Sequence, residues 1–220
     1  MLSSRYSDIV NNLDSFTFHI LGCGAIGSST ATQLARMGAG NFRLYDFDKV
    51  ELENVGVSQY YESNIGEYKV DALTKHIKDI NPQADIQTFC EMFEEYAHED
   101  KNDVAILAFD SMVHRLKAVE ILCYQPKHKP MYIIDGRMGA EHYQQYTIKE
   151  PSLKKYLKFW YSDEEGDPEP CNAKATSYCS NMSGSFIVNT IRKLATGQPY
   201  HGEISFHFPT MLIDKGRMMA

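Results

Sequence analysis

The run Gly22-Cys23-Gly24-Ala25-Ile26-Gly27 carries glycines at its first, third and sixth positions. That spacing lets a backbone close on a phosphate while the unpaired amides and dipole of a following helix attract the negative charge. Asp46 stands 19 residues after the last of these glycines, where a carboxylate can accept from ribose hydroxyls. Together they read as a nucleotide site, with Gly22, Gly24, Ala25, Ile26 and Gly27 forming the phosphate turn. The opposing reading is a turn whose glycines only pack helix on strand. An NAD-dependent oxidoreductase would use Gly22 to Asp46 equally well, so the choice of nucleotide has to come from further along the chain.

Next come Asp46-Phe47-Asp48-Lys49-Val50-Glu51-Leu52-Glu53-Asn54, then Lys69 within Gly66-Glu67-Tyr68-Lys69, then Asp110 with Arg115 five residues on. In order and spacing this set resembles the ThiF, MoeB and ubiquitin-activating-enzyme family, whose fold binds ATP and magnesium and adenylates a C-terminal carboxylate. The resemblance implies an ATP-dependent adenylyltransferase, a transferase acting on a small ubiquitin-like protein or peptide with a free C-terminus and working as a homodimer. It gives Asp46 to the ribose, with Asp48 as a second polar contact, Asn54 and Lys69 to the phosphates, and Asp110 to magnesium. A carboxylate is a weak nucleophile, so attack on the α-phosphate needs positioned reactants and cancelled phosphate charge rather than a strong base.

Each residue also has a plainer reading: Lys69 as a solvated helix lysine, Asn54 and Asp48 as turn residues, Asp110 as the cap of a helix starting near Ser111. Arg115 reads as a brace of the fold. Arg137 reads as a receiver of a carboxylate or phosphate, or as half of a structural ion pair.

The resemblance spans most of residues 16–137 and returns from Cys171 to Gly197. There a cysteine, a stretch of small residues and a helix ending Ile191-Arg192-Lys193-Leu194-Ala195-Thr196-Gly197 resemble the family's crossover segment and the helix after it. Cys171 matches the position of a reactive cysteine in several members, against the reading of an incidental thiol. Cys179 is expected to pack beside the helix. Three features depart from the family. Val57 stands where an arginine usually follows the asparagine, Asp8 breaks an N-terminal arginine pattern begun by Arg5-Tyr6, and the zinc cysteines are missing. The absent arginine favours an alternative, a nucleotide-binding but catalytically silent partner subunit or scaffold.

The elements that must hold these residues follow from periodicity. Phe16 to Leu21 reads as a strand into the glycine turn, then a helix to Met37 and a second strand from Phe42 to Tyr45. A polar loop runs over 46–64. A helix near 67–80 and a strand from Ala84 to Phe89 follow, then a helical turn around 91–98, a strand from Val104 to Phe109, and a helix to about Tyr124. Met131 to Ile134 makes a fifth strand. Alternating strands and helices predict an α/β Rossmann-like, mainly parallel sheet with helices on both faces. The alternation of Glu141 to Ile148 predicts an antiparallel extension, followed by an acidic, solvated loop over 162–170, a helix near 181–196 and a last strand from Ile204 to Phe208. The expected organisation is one domain over 1–220: a nucleotide-binding core to residue 137, then a C-terminal part from 138 with its crossover loop at 162–180.

Composition sets the outer limits. In 220 residues, 22 Lys and Arg against 29 Asp and Glu give net charge −7, which argues against nucleic acid or an anionic membrane as a partner. No apolar run reaches the ~20 residues that span a bilayer. The five cysteines form no Cys-x-x-Cys pair, so neither a disulfide framework nor a four-thiolate zinc site is indicated, and a reducing, cytoplasmic location is expected.

Overall fold

In a computed structural model, residues 5–96, 102–124, 128–165 and 175–219 are described. All five residues of β1 (Thr17–Leu21) are buried, as expected of a strand covered on both faces. It pairs in parallel with β2 (Asn41–Tyr45) on one side and β4 (Asp103–Leu107) on the other. β3 (Asp85–Phe89) extends the β2 side, and β5 (Tyr132–Gly139) extends the β4 side. The order reverses between β1 and β4, which places the ligand crevice of such a sheet beyond the carboxyl ends of these strands.

β5 then returns through the two-residue loop Ala140-Glu141 into β6 (His142–Lys149), antiparallel over eight residue pairs. With β8 (Glu203–His207) and β9 (Leu212–Lys215) the eight-stranded order becomes β3-β2-β1-β4-β5-β6-β8-β9, and β7 (Tyr200–His201) pairs separately with β10 (Met218–Met219). This is the Rossmann-like mixed sheet expected, with its antiparallel extension.

Alternation along the strands builds two cores. On β4, Val104 and Ile106 join Phe18, Ile20 and Ile134 under α1 (Ala25–Arg36), α3 (Lys69–Ile80) and α6 (Ser177–Ala195). Ala105 and Leu107 face the other way, toward Val119 and Leu122 of α4 (Met112–Tyr124) and Tyr156 of α5 (Leu153–Tyr156). Helices therefore cover both faces.

Several elements differ from expectation. The polar loop after β2 contains the short α2 (Leu52–Val55). No helical turn forms over 91–96, because Phe93 packs edge-on against Tyr45 and the Tyr96 hydroxyl donates to Asp103 at 2.6 Å. Those side-chain anchors fix the segment without a helix, and residues 97–98 lie outside the described residues. α6 begins four residues before the expected 181, because the Thr176 hydroxyl caps it by accepting from the Cys179 amide. β5 continues past the expected stop at Asp135-Gly136. β9 and the β7–β10 pair were not foreseen: all four residues of β9 are exposed, so no alternation marks it. Among the described residues no helix is long and apolar enough to cross a membrane.

Candidate functional site

β1 ends at Leu21, and Gly22 turns the chain with a φ of +97°, which favours glycine. A Cβ there would lie 2.7 Å from the carbonyl oxygen of Ala108, so the turn and the segment after β4 meet without room for a side chain. Gly27, in the first turn of α1, rests on the same turn, where a Cβ would stand 1.9 Å from the Gly22 oxygen. Gly24 is the contrast. It caps α1, and a Cβ on it would meet nothing within 4 Å. Open space thus fronts a 12-residue helix whose leading amides lack intrahelical acceptors and carry the positive dipole end.

Asp46, directly after β2, faces this turn. Its Oδ2 accepts from the Cys23 amide at 2.7 Å and its Oδ1 from the Asp48 amide at 2.8 Å, leaving lone pairs on both oxygens for a further donor. Burial raises its pKa above the ordinary 3.8, while the Lys69 charge and the two amide bonds pull down without cancelling the rise.

Lys69 opens α3 and is buried, which removes the reading of a solvated lysine. Its Nζ lies 2.8 Å from Asp48 Oδ2, and its amide donates to the Asp48 carbonyl at 2.9 Å. Burial alone draws the Lys69 pKa down, but the Asp48 hydrogen bond and the charges of Asp46 and Asp48 outweigh it and leave the ammonium above its ordinary value. A permanent positive charge therefore stands beside the turn, steadied by Asp48, which is both a turn residue and a polar partner.

The glycine turn, Asp46, Asp48 and Lys69 form one hydrogen-bonded set; none of the remaining candidates is hydrogen-bonded to it among the described residues. Asn54 ends the capping box of α2, its Oδ1 accepting from the Glu51 amide at 2.9 Å. Its carbonyl thus closes a turn, while its amide group has no partner among the described residues. The run after it is tied to α1 and α6: the Gln59 amide donates to Ser28 Oγ at 3.1 Å, and Gln59 Nε2 to Asn181 Oδ1 at 3.0 Å. Val57, in the place of the arginine, has its carbonyl held by the Ser180 hydroxyl at 2.6 Å.

Asp110 lies three residues past β4, exposed and without a hydrogen bond or ion pair among the described residues. Capping falls to its neighbours: Ser111 Oγ accepts from the His114 amide at 3.4 Å, and Asp163 from the Met112 amide at 2.9 Å. Asp163 therefore does more than decorate a solvated loop. It pins the 162–165 segment against the start of α4, while Asp167 and Glu169 lie outside the described residues.

Arg115 and Arg137 brace the fold. The fully buried Asp135 accepts from Arg115 Nη1, from Arg137 Nη2 at 2.7 Å and from the Tyr156 hydroxyl at 3.0 Å. Arg137 Nη1 donates to the Phe159 carbonyl at 2.8 Å, so this guanidinium is engaged within the chain. Cys179 is fully buried in α6, and burial pushes its thiol up to about 11. Cys171 lies outside the described residues. Sequence reasoning missed Tyr60, Ser180, Asn181 and Tyr156. For Tyr60 the available signal was an aromatic pair, Tyr60-Tyr61, inside a polar loop.

A model of the ThiF family matches residues 5–212. Ubiquitin-like modifier-activating enzyme 5 of Branchiostoma floridae is 36% identical over 91 residues, covering 40% of this chain and 22% of that protein. Its counterpart in Arabidopsis thaliana is 36% identical over 92 residues, covering 40% and 21%. The chain thus aligns with about a fifth of the length of these relatives. Among solved structures, PaaA superposes with a TM-score of 0.68 at 20% identity, covering 96% of this chain and 75% of that one. E. coli MccB crystallised with ATP superposes at 0.72 with 15% identity, covering 96% and 65%. At these identities the superpositions establish the fold.

Proposed function

The chain belongs to the ThiF family, and from that premise we propose that it is an ATP-dependent adenylyltransferase acting on the C-terminal carboxylate of a ubiquitin-like protein or a peptide. One observation carries the reading: the open N-terminus of α1 at Gly24 faces a turn bonded to Asp46 and stands in the same set as the charged Lys69. An NAD-dependent oxidoreductase has no use for Lys69.

ATP fits the residues present. Asp46 has lone pairs for the ribose hydroxyls, the α1 amides and Lys69 oppose the phosphate charge, and the free amide of Asn54 can donate to a phosphate oxygen. Magnesium would be held by Asp110 together with phosphate oxygens, since the described residues contain no cluster of three or more metal-ligating side chains. When bound, the ion neutralises the charge that develops on departing pyrophosphate. The substrate carboxylate oxygen attacks the α-phosphorus, the bond to pyrophosphate breaks, and an acyl-adenylate remains. Lys69 and the α1 amides hold the phosphates in line for that attack, and no general base is required.

Cys171 is the acceptor in the second half of the proposal. Its thiolate would attack the activated carbonyl, releasing AMP and leaving a thioester. A Cys171→Ser variant should then keep pyrophosphate exchange while losing a reductant-sensitive adduct. The protein is proposed to act in the cytoplasm as a homodimer. Tyr6 donates to the Arg36 carbonyl at the C-terminal end of α1, a helix length of about 18 Å from the glycine turn. Arg5 is therefore remote from its own chain's site, and a role at phosphate requires a second copy.

The deciding experiment is substrate-dependent exchange of labelled pyrophosphate into ATP, alongside calorimetry with ATP and magnesium against NAD. Exchange, with ATP preferred, supports the enzyme, and a preference for NAD overturns it. ATP binding without exchange for any ubiquitin-like or peptide substrate favours the silent scaffold, the reading to which Val57 in place of the arginine lends weight.

A further inference from the structure

Tyr60 lies between α2 and α3, 2% exposed, with no position in the reading above. Its hydroxyl donates to the Cys23 carbonyl at 2.6 Å and is 3.2 Å from the Lys69 carbonyl. A phenol has one proton, so the shorter contact takes most of it. Cys23 is fully buried and is gripped at both ends, its amide by Asp46 and its carbonyl by Tyr60.

The Cys23 carbonyl and the Gly24 amide belong to one peptide plane, and that peptide is trans. In a planar trans peptide the C=O and N–H vectors point in opposite directions. A carbonyl drawn inward by Tyr60 therefore turns the Gly24 N–H outward. That amide has no acceptor among the described residues, and the space beside Gly24 is open. Without the hydroxyl, the buried carbonyl loses its partner, and rotation of the peptide toward solvent would present an oxygen, rather than a proton, to an arriving phosphate.

We infer that Tyr60 is a positioning residue that sets the Gly24 peptide for phosphate binding by holding the Cys23 carbonyl. This role rests on the nucleotide reading of the site. It also joins the two halves of that site, because the same hydroxyl lies against the backbone of Lys69.

Tyr60→Phe removes the hydroxyl and keeps the ring. Calorimetry with adenosine, AMP and ATP should show adenosine binding within about twofold of the parent, while AMP and ATP weaken roughly five- to tenfold, the scale of one hydrogen bond. In nucleotide-free protein the Gly24 amide resonance should shift in the variant. Equal losses for adenosine and ATP would mean general bracing and overturn the role, as would unchanged ATP affinity or an unmoved Gly24 amide. A parent that binds none of the three overturns the nucleotide reading and this role with it. Binding by the parent without a selective loss in the variant overturns the role of Tyr60 alone.

Discussion

Gly184 of α6 lies so close to Ser29 of α1 that a Cβ on the glycine would stand 2.4 Å from the serine hydroxyl oxygen and 3.0 Å from its backbone carbonyl carbon. The hydroxyl can rotate aside, but the backbone cannot. Gly184→Ala should therefore push the helices apart and destabilise the protein by about 1–3 kcal/mol, the cost of overpacking. Urea denaturation measures it, and an unchanged midpoint would mean that the helices separate freely.

Two glycines of one turn should fail in different ways. Gly24→Val enters open space, so the melting temperature should stay within a few degrees while ATP binding is lost. Gly27→Ala drives a Cβ into the Gly22 carbonyl and should destabilise by about 1–3 kcal/mol or more. Thermal melting and calorimetry on the pair separate the two. Normal ATP binding by folded Gly24→Val would remove the turn from the site.

Asp135 sits between two guanidinium groups in the core. Asp135→Asn leaves both cations without their counter-charge and should cost roughly 3–5 kcal/mol, read as a lower denaturation midpoint. A change below 1 kcal/mol would show that the carbonyl contacts to Arg115 and Arg137 suffice alone.

If Asp46 holds the ribose as proposed, nucleoside binding should depend on pH. Burial raises its folded pKa, so as pH climbs past the ordinary carboxylate value the unfolded chain releases this proton first, and the group's contribution to stability falls. Ribose hydroxyls are accepted best by the ionised form, so adenosine affinity should fall on acidification with a midpoint above 3.8. Titration calorimetry between about pH 4 and pH 7 tests this. The step should vanish in Asp46→Asn.

Asp110→Ala should leave stability within about 0.5 kcal/mol, because the side chain is exposed and unpaired among the described residues. Pyrophosphate exchange should fall about tenfold or more, with a smaller loss of ATP affinity, since charge neutralisation matters most in the transition state. Exchange at the parental rate would strike Asp110 from the mechanism.

The parallel half of the fold and its glycine turn were legible because their signals are local. Apolar runs end in glycines, carboxylates stand just past strand ends, and 3.6-residue spacing marks α1 and α3. What stayed hidden depends on contacts distant in sequence. Asp163 capping α4, Ser180 holding the Val57 carbonyl and Tyr60 reaching Cys23 join residues 37 to 123 positions apart. Asn54 and Arg137 show the converse. Their types announced polar roles, but only the fold decides that one closes a turn through its carbonyl and the other is held by Asp135.

The order of the sheet also governs how the protein emerges from a ribosome. The β5–β6 hairpin can close as soon as β6 is made, because its partners are neighbours in sequence. β1 is buried on both faces, yet its partner on one side is β4, so Leu21 waits for Leu107. At about 5–20 residues per second, that delay is roughly 4–17 s. For that interval the nascent chain carries an apolar strand with an unpaired edge and the glycine turn without its floor, so the parallel half, rather than the hairpin half, is the part exposed to wrong pairing during translation.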